Sequence, residues 1–218
     1  MIVSRDNERL KLIRKLHERR WRDKLGLFVA EGEDLVDAAT AAPVDLLRAG
    51  EDVDPRLLAE VSSAPHPPRV IAVYRRADLP AWAERPATLL LLRLADPGNV
   101  GTLIRTADAF GAAVALSEGC ADPTSPKALR ASAGSIWRVP VARVDPSGRR
   151  IALAAGGGVP LADVDLSGKV VFMLGAEREG IPAAEPRDVD AWIPIAGAES
   201  LNVAAAGAVA LYEWSRRR

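Results

Sequence analysis

Short apolar runs alternate with helix-like segments from one end of this chain to the other, and nothing else in it constrains the fold as much. Leu10, Leu12, Ile13 and Leu16 stand at helical spacing in the first segment. Leu27 to Ala30 reads as a strand, Glu33 to Thr40 as a helix stopped near Pro43, and Val44 to Leu47 as a second strand. A helix over 55–61, with proline in its first turn, and a strand over 69–73 complete this part. The stretch Pro80 to Pro86 reads as a linker. Beyond it, strands are expected at 88–92, 112–117, 139–144, 170–174 and 191–195, with helices near 99–110 and over 201–215. Strand and helix alternating at these spacings predict two α/β units. They divide into a small domain over 1–80, a linker over 81–87 and a larger domain over 88–218.

Composition excludes several classes. The single cysteine, Cys120, permits no internal disulfide and suits a reducing cytosol. His17 and His66 have no metal-ligand spacing, so no metal is expected. The longest strongly apolar run, Leu89 to Leu92, is too short to span a bilayer. The N-terminus lacks the apolar core and cleavage site of a signal peptide, so a cytoplasmic protein without a membrane partner is the expectation. A formal net charge of zero conceals an uneven distribution. Residues 1–24 hold Arg5, Arg9, Lys11, Arg14, Lys15, Arg19, Arg20, Arg22 and Lys24 against four acids, and the next segment is acidic. Such a basic segment could steer a polyanion, or be no more than the solvated face of a surface helix.

Three segments of the second unit carry the chemistry. The first runs from Asp96-Pro-Gly-Asn99 through Arg105 to Gly111 and follows an apolar strand directly, at the edge where open α/β sheets bind ligands. Asn99 suits the cap of the following helix, and Thr102, Arg105 and Asp108 or Ala109 share one of its faces. The glycines at 98 and 101 match neither a dinucleotide fingerprint nor a phosphate loop. By pattern alone this is a strand, a turn and a helix with a buried or functional arginine. The second segment, Val170 to Pro182, runs a buried strand into an acidic loop bracketed by Gly175 and Gly180. Glu177 or Glu179 there could pair with an arginine, or the loop could be an ordinary turn. In the third, Ala191 to Glu213, Ser200 is a candidate cap for a helix whose residues 204–208 and 210 are all Ala or Gly. A helix so bare of side chains lets another backbone pass close by.

In order and spacing these segments resemble the three signature motifs of the SpoU family of RNA ribose methyltransferases, within the wider SPOUT superfamily. The resemblance covers about Leu89 to Trp214 and includes Ser125 to Gly134 and Val139 to Val141 as the intermediate segment. Lys24 to Val36 is similar to the start of the small RNA substrate-binding domain of two-domain members. The resemblance implies a C-terminal domain with a mostly parallel sheet and a deep trefoil knot, against the general rule that chains are unknotted. It implies a homodimer, and S-adenosylmethionine held by Leu174, Gly175, Ala176, Gly180, Ile195, Ser200, Leu201 and Asn202. It implies Asn99, Arg105, Glu177 and Asn202 as catalytic residues. Arg14, Arg19, Arg20, Arg22, Lys24, Lys127 and Arg130 are the expected RNA contacts.

The activity so implied is methyl transfer from S-adenosylmethionine to a ribose 2′-hydroxyl, in ribosomal rather than transfer RNA. A non-catalytic RNA-binding protein of ribosome assembly and a base-methylating relative are the alternatives. One departure stands out: the third motif commonly has serine after Ser-Leu-Asn-Val, and this chain has Ala204.

Overall fold

The computed structural model describes residues 1–176, 179–197 and 199–218. It opens with two short helices, α1 (Glu8–Leu16) and α2 (Arg19–Leu25). Asn7 starts α1 by accepting the Arg9 N–H at 3.0 Å, and Leu10, Ile13 and Leu16 form its buried stripe. A three-stranded antiparallel sheet follows: β1 (Leu27–Glu31), β2 (Asp45–Arg48) and β3 (Val70–Arg75), in the order β1-β3-β2. Helices α3 (Glu33–Asp37) and α4 (Pro55–Val61) connect its strands. The helix α3 ends three residues short of the expected Thr40.

The larger sheet has seven strands, and every pairing in it is parallel. They are β4 (Ala87–Leu91), β5 (Ala113–Leu116), β6 (Val141–Ala142), β7 (Arg149–Ala154), β8 (Val159–Pro160), β9 (Val170–Leu174) and β10 (Val189–Trp192), in the order β6-β5-β4-β9-β7-β10-β8. Helices α5 (Pro97–Phe110), α6 (Pro126–Ser132) and α7 (Val203–Arg216) accompany them. Every residue of the central strands β4 and β9 is buried, as expected of parallel strands covered on both faces.

Other elements depart from the sequence expectation as well, the short strand β8 among them. The strand β7 and the helix α6 were not foreseen, and the expected strand over 139–144 is reduced to Val141–Ala142. Arg149 and Arg150 open β7 and three glycines follow it at 156–158, so a central strand reads locally as loop.

The two sheets share one continuous apolar core. Phe28 and Tyr74, from the small sheet, meet Trp137, which stands edge-on to Tyr74 with ring centroids 4.7 Å apart. The Trp137 indole N–H donates to the Leu35 carbonyl at 3.2 Å. Around this aromatic contact lie two ionic clusters. In one, Asp122 accepts from Arg22 Nε and Arg76 Nη2, each at 2.7 Å, and from the Thr124 hydroxyl at 2.7 Å. Burial works against the charged form of Asp122, but the Thr124 hydroxyl and the two guanidiniums outweigh it and hold its carboxyl below the usual range. In the other, buried Glu31 accepts from Ser63, and Arg130 and His17 reach it at 3.2 Å each. The small sheet is thus fixed against residues 122–137 of the large unit.

Candidate active site

Two helix starts and three strand ends build the site. At the first helix start, Asp96 caps α5: its carboxylate accepts the Gly98 N–H at 2.5 Å, with Pro97 in the opening turn. Asn99, expected at the cap, therefore lies inside the first turn. Asp96 also takes the Lys127 ammonium at 3.0 Å, and chiefly for that reason, with the Gly98 N–H second, its carboxyl lies below the usual range. At the second helix start Asn202 is the cap, where Ser200 was expected. Its Oδ1 accepts the N–H groups of Ala204 and Ala205 at 2.9 and 3.4 Å, leaving Nδ2 to donate to Asn99 Oδ1 at 3.3 Å. One amide thus starts α7 and ties it to α5. Ala204, the departure from the family pattern, is buried in the first turn of α7.

Between the start of α7 and the C-terminal ends of β7, β9 and β10 lies a cavity of about 330 Å³, to which the start of α5 is joined through the Asn99–Asn202 bond. Leu174, Gly175, Ala176, Gly180, Ile195, Ser200, Leu201 and Asn202 all line it, which is every residue expected to hold the cofactor. Leu153, Ala154 and Ala155 line it as well and were missed, as were Ile193, Val203 and Ala206. The signal for the first three was present in a short apolar run ending at a triple glycine. In a parallel sheet that pattern marks a strand whose C-terminal edge has been left open.

The loop after β9 is closed by the Gly180 N–H donating to the Ala176 carbonyl at 2.9 Å. A Cβ on Gly175 would stand 2.2 Å from the Gly180 carbonyl carbon, so the two backbones meet where only glycine fits. Beneath the cavity α7 crosses α5 at Gly207, whose Cβ would stand 2.4 Å from the Leu103 side chain. Glu177 lies outside the described residues. Its neighbour Glu179 is exposed, 3.7 Å from the Arg93 guanidinium. Arg93 itself has a left-handed backbone at φ 53°.

Arg105 does not line the cavity. It is exposed on α5, on one face with Thr102 and Ala109 as expected, and no carboxylate among the described residues pairs with it. The expected RNA contacts divide. Arg19, Arg20, Lys24 and Lys127 are exposed, and Arg14 and Arg130 half-buried, the latter engaged with Glu31 and Ser63. Arg22 is a correction: it is 3% exposed, and besides Asp122 it donates to the carbonyls of Leu16 and His17 at 2.8 Å. Its guanidinium is committed to the junction of the two sheets and offers RNA no surface.

Residues 86–212 match the SpoU rRNA Methylase family, and residues 7–53 match the MRM3-like substrate binding domain. The chain is 33% identical to the 23S rRNA (guanosine(2553)-2′-O)-methyltransferase RlmP of Bacillus subtilis, over 97% of each chain. The AdoMet-bound rRNA methyltransferase of Sinorhizobium meliloti superposes with a TM-score of 0.88 at 29% identity, covering 99% of this chain and 97% of that one. The SpoU methyltransferase AviRb of Streptomyces viridochromogenes, in complex with AdoMet, gives 0.84 at 27% identity, covering 97% and 98%.

Proposed function

The chain belongs to the SpoU rRNA methylase family, and we propose that within it this protein methylates the 2′-hydroxyl of one ribose in 23S ribosomal RNA. It is an RNA methyltransferase that uses S-adenosylmethionine. The observation that carries the reading is a cavity lined by the second and third signature segments, to which the first is tied by the Asn99–Asn202 hydrogen bond. The residues present fit the cofactor. Leu153, Leu174, Ile193, Ile195 and Leu201 offer an apolar slot for an adenine, and Ser200 and Asn202 offer polar groups. The volume falls within the range of small-molecule sites, roughly 300–1,000 Å³. When bound, S-adenosylmethionine supplies an electrophilic methyl carbon.

The chain's own residues then have to present the ribose oxygen in line with that carbon and ease the loss of its proton. A guanidinium keeps its proton and has no lone pair to accept another, so Arg105 is ill suited to be a base. We assign it a fixed positive charge that holds the phosphate beside the target ribose and stabilises the developing alkoxide. Asn99, tied to Asn202, orients the ribose. Arg105 lies six residues along α5 from Asn99, a rise of about 9 Å, which favours a site completed across a homodimer. The exposed residues Thr102, Arg105 and Ala109 of α5 and Ala205, Val209 and Tyr212 of α7 offer the contact face. The return of β9 between β4 and β7, after strands have been laid on both sides, supports a trefoil knot. We divide the chain as 1–80, 81–87 and 88–218, with RNA held first by the small domain. No helix of the described residues is long and apolar enough to cross a membrane, in keeping with a cytoplasmic enzyme.

The test is Arg105→Ala. Methyl transfer to 23S rRNA should fall by a factor of 100 or more, on the order of the loss of one electrostatic donor, while calorimetric affinity for S-adenosylmethionine is unchanged. Normal turnover by the variant would overturn the assignment of Arg105.

A further inference from the structure

The Trp21 ring, half-buried on α2, is approached by three cations. Lys15 Nζ, from the end of α1, stands 5.3 Å from the ring centroid, Lys24 Nζ 5.2 Å, and the Arg20 guanidinium carbon 5.6 Å. Like charges so gathered repel one another, and an aromatic face at a solvent-accessible position offsets little of that. Of the three, Arg20 has an acid, Glu18 at 2.7 Å. Among the described residues Lys15 and Lys24 have none. The cluster is an aromatic surface ringed by cations on flexible stems, without enough local negative charge.

Its position is fixed. The adjacent Arg22 is locked to Asp122 and to the carbonyls of Leu16 and His17. Asp122 lies between β5 and α6, beyond the C-terminal end of β5. Three residues further on, Ser125 caps α6, whose Lys127 holds Asp96 at the start of α5. Trp21 is therefore pinned at the same edge of the parallel sheet on which the cavity opens.

We propose that Trp21, with Lys15, Arg20 and Lys24, is a stacking site for an unpaired base of the RNA substrate. The cations take the phosphates on either side of that base. Phosphate recognition alone requires no aromatic ring, whereas a π-face accepts any base and the flexible cations can leave the ring for the backbone. Because Arg22 is immobilised in the junction, the site holds its base at a set offset from the cavity and so selects which ribose arrives there. This rests on the reading of the chain as an RNA methyltransferase.

The experiment is fluorescence anisotropy with the full chain and two labelled probes of about 15 nucleotides, an oligoadenylate and an abasic ribose-phosphate chain of equal length. Trp21→Leu should weaken oligoadenylate binding roughly tenfold to a hundredfold, leave the abasic probe unchanged, and be largely rescued by Trp21→Phe. Lys15→Ala with Lys24→Ala should weaken both probes and reduce the salt dependence by about 1.4 in the log–log slope. An unchanged affinity for S-adenosylmethionine certifies that each variant is folded. The proposal is overturned if Trp21→Leu spares both probes or weakens both equally. It is also overturned if polyglutamate is bound as tightly as oligoadenylate and with the same dependence on Trp21. Binding is read without turnover, so failure here leaves the methyltransferase reading standing, and an inactive enzyme with normal stacking would count against that reading alone.

Discussion

Replacing Gly175 by alanine tests the cavity at its tightest point. The added Cβ would lie 2.2 Å from the Gly180 carbonyl carbon, 2.3 Å from its oxygen and 2.5 Å from the Ile181 nitrogen. All three are backbone atoms, so no side chain can rotate away. One strand of the loop must retreat by about 1 Å to reach ordinary van der Waals contact. Overpacking of that kind costs about 1–3 kcal/mol. Because both strands of the loop line the cavity, we expect the displacement to appear mainly as lost cofactor affinity, roughly tenfold to a hundredfold in Kd. Gly156→Ala is the matched control: it adds the same methyl near the end of β7, where nothing lies within 4 Å, and should bind as the parent does. Titration calorimetry with S-adenosylmethionine, with thermal unfolding alongside, reads both. Parental affinity in Gly175→Ala at unchanged stability would refute the claim that the loop backbone forms the wall of the site.

Three other outcomes follow from the same geometry. Asp122→Ala leaves Arg22 buried without its carboxylate while the more exposed Arg76 can rehydrate, so urea unfolding should show a loss of about 3 kcal/mol; a loss below about 1 kcal/mol would mean the junction is not held there. The Asp122 and Glu31 carboxyls have folded pKa values lowered from the unfolded ones of about 4, so their contribution is fully present above that pH and disappears as the pH falls through the folded values. Stability from pH 7 to 5 should be flat on their account and fall below about pH 4, less steeply in Asp122→Ala. Val209→Glu with Tyr212→Glu should convert a dimer to a monomer in sedimentation experiments, since these side chains are 37% and 58% exposed on one face of α7; a parent protein that is already monomeric would remove the dimer proposal.

Much of this was legible in the sequence because periodicity and local chemistry act over a few residues. Apolar runs marked β1, β4, β5 and β9, and glycines 175 and 180 marked the loop between which a ligand wall forms. What escaped depended on distant partners. The strand β7 begins with two arginines and has small residues at 152 and 154, so only its pairing with β9 and β10 reveals it as central. Two Asx residues, 96 and 99, competed for the cap of α5. Pro97, at home only in the opening turn, decides for Asp96. Arg22 differs in no local way from Arg20, yet Asp122, a hundred residues later, buries one and leaves the other in solvent. The division of Arg105 from the cavity was invisible because it depends on how α5 turns against α7.

Ribose methylation is read by incubating the purified protein with S-adenosylmethionine and unmethylated 23S rRNA, then digesting the RNA to nucleosides for mass spectrometry. One 2′-O-methylnucleoside per RNA is expected, its methyl on the ribose fragment and its position resistant to alkaline cleavage. A methyl on the base fragment, or none with cofactor bound and RNA intact, would contradict ribose methylation.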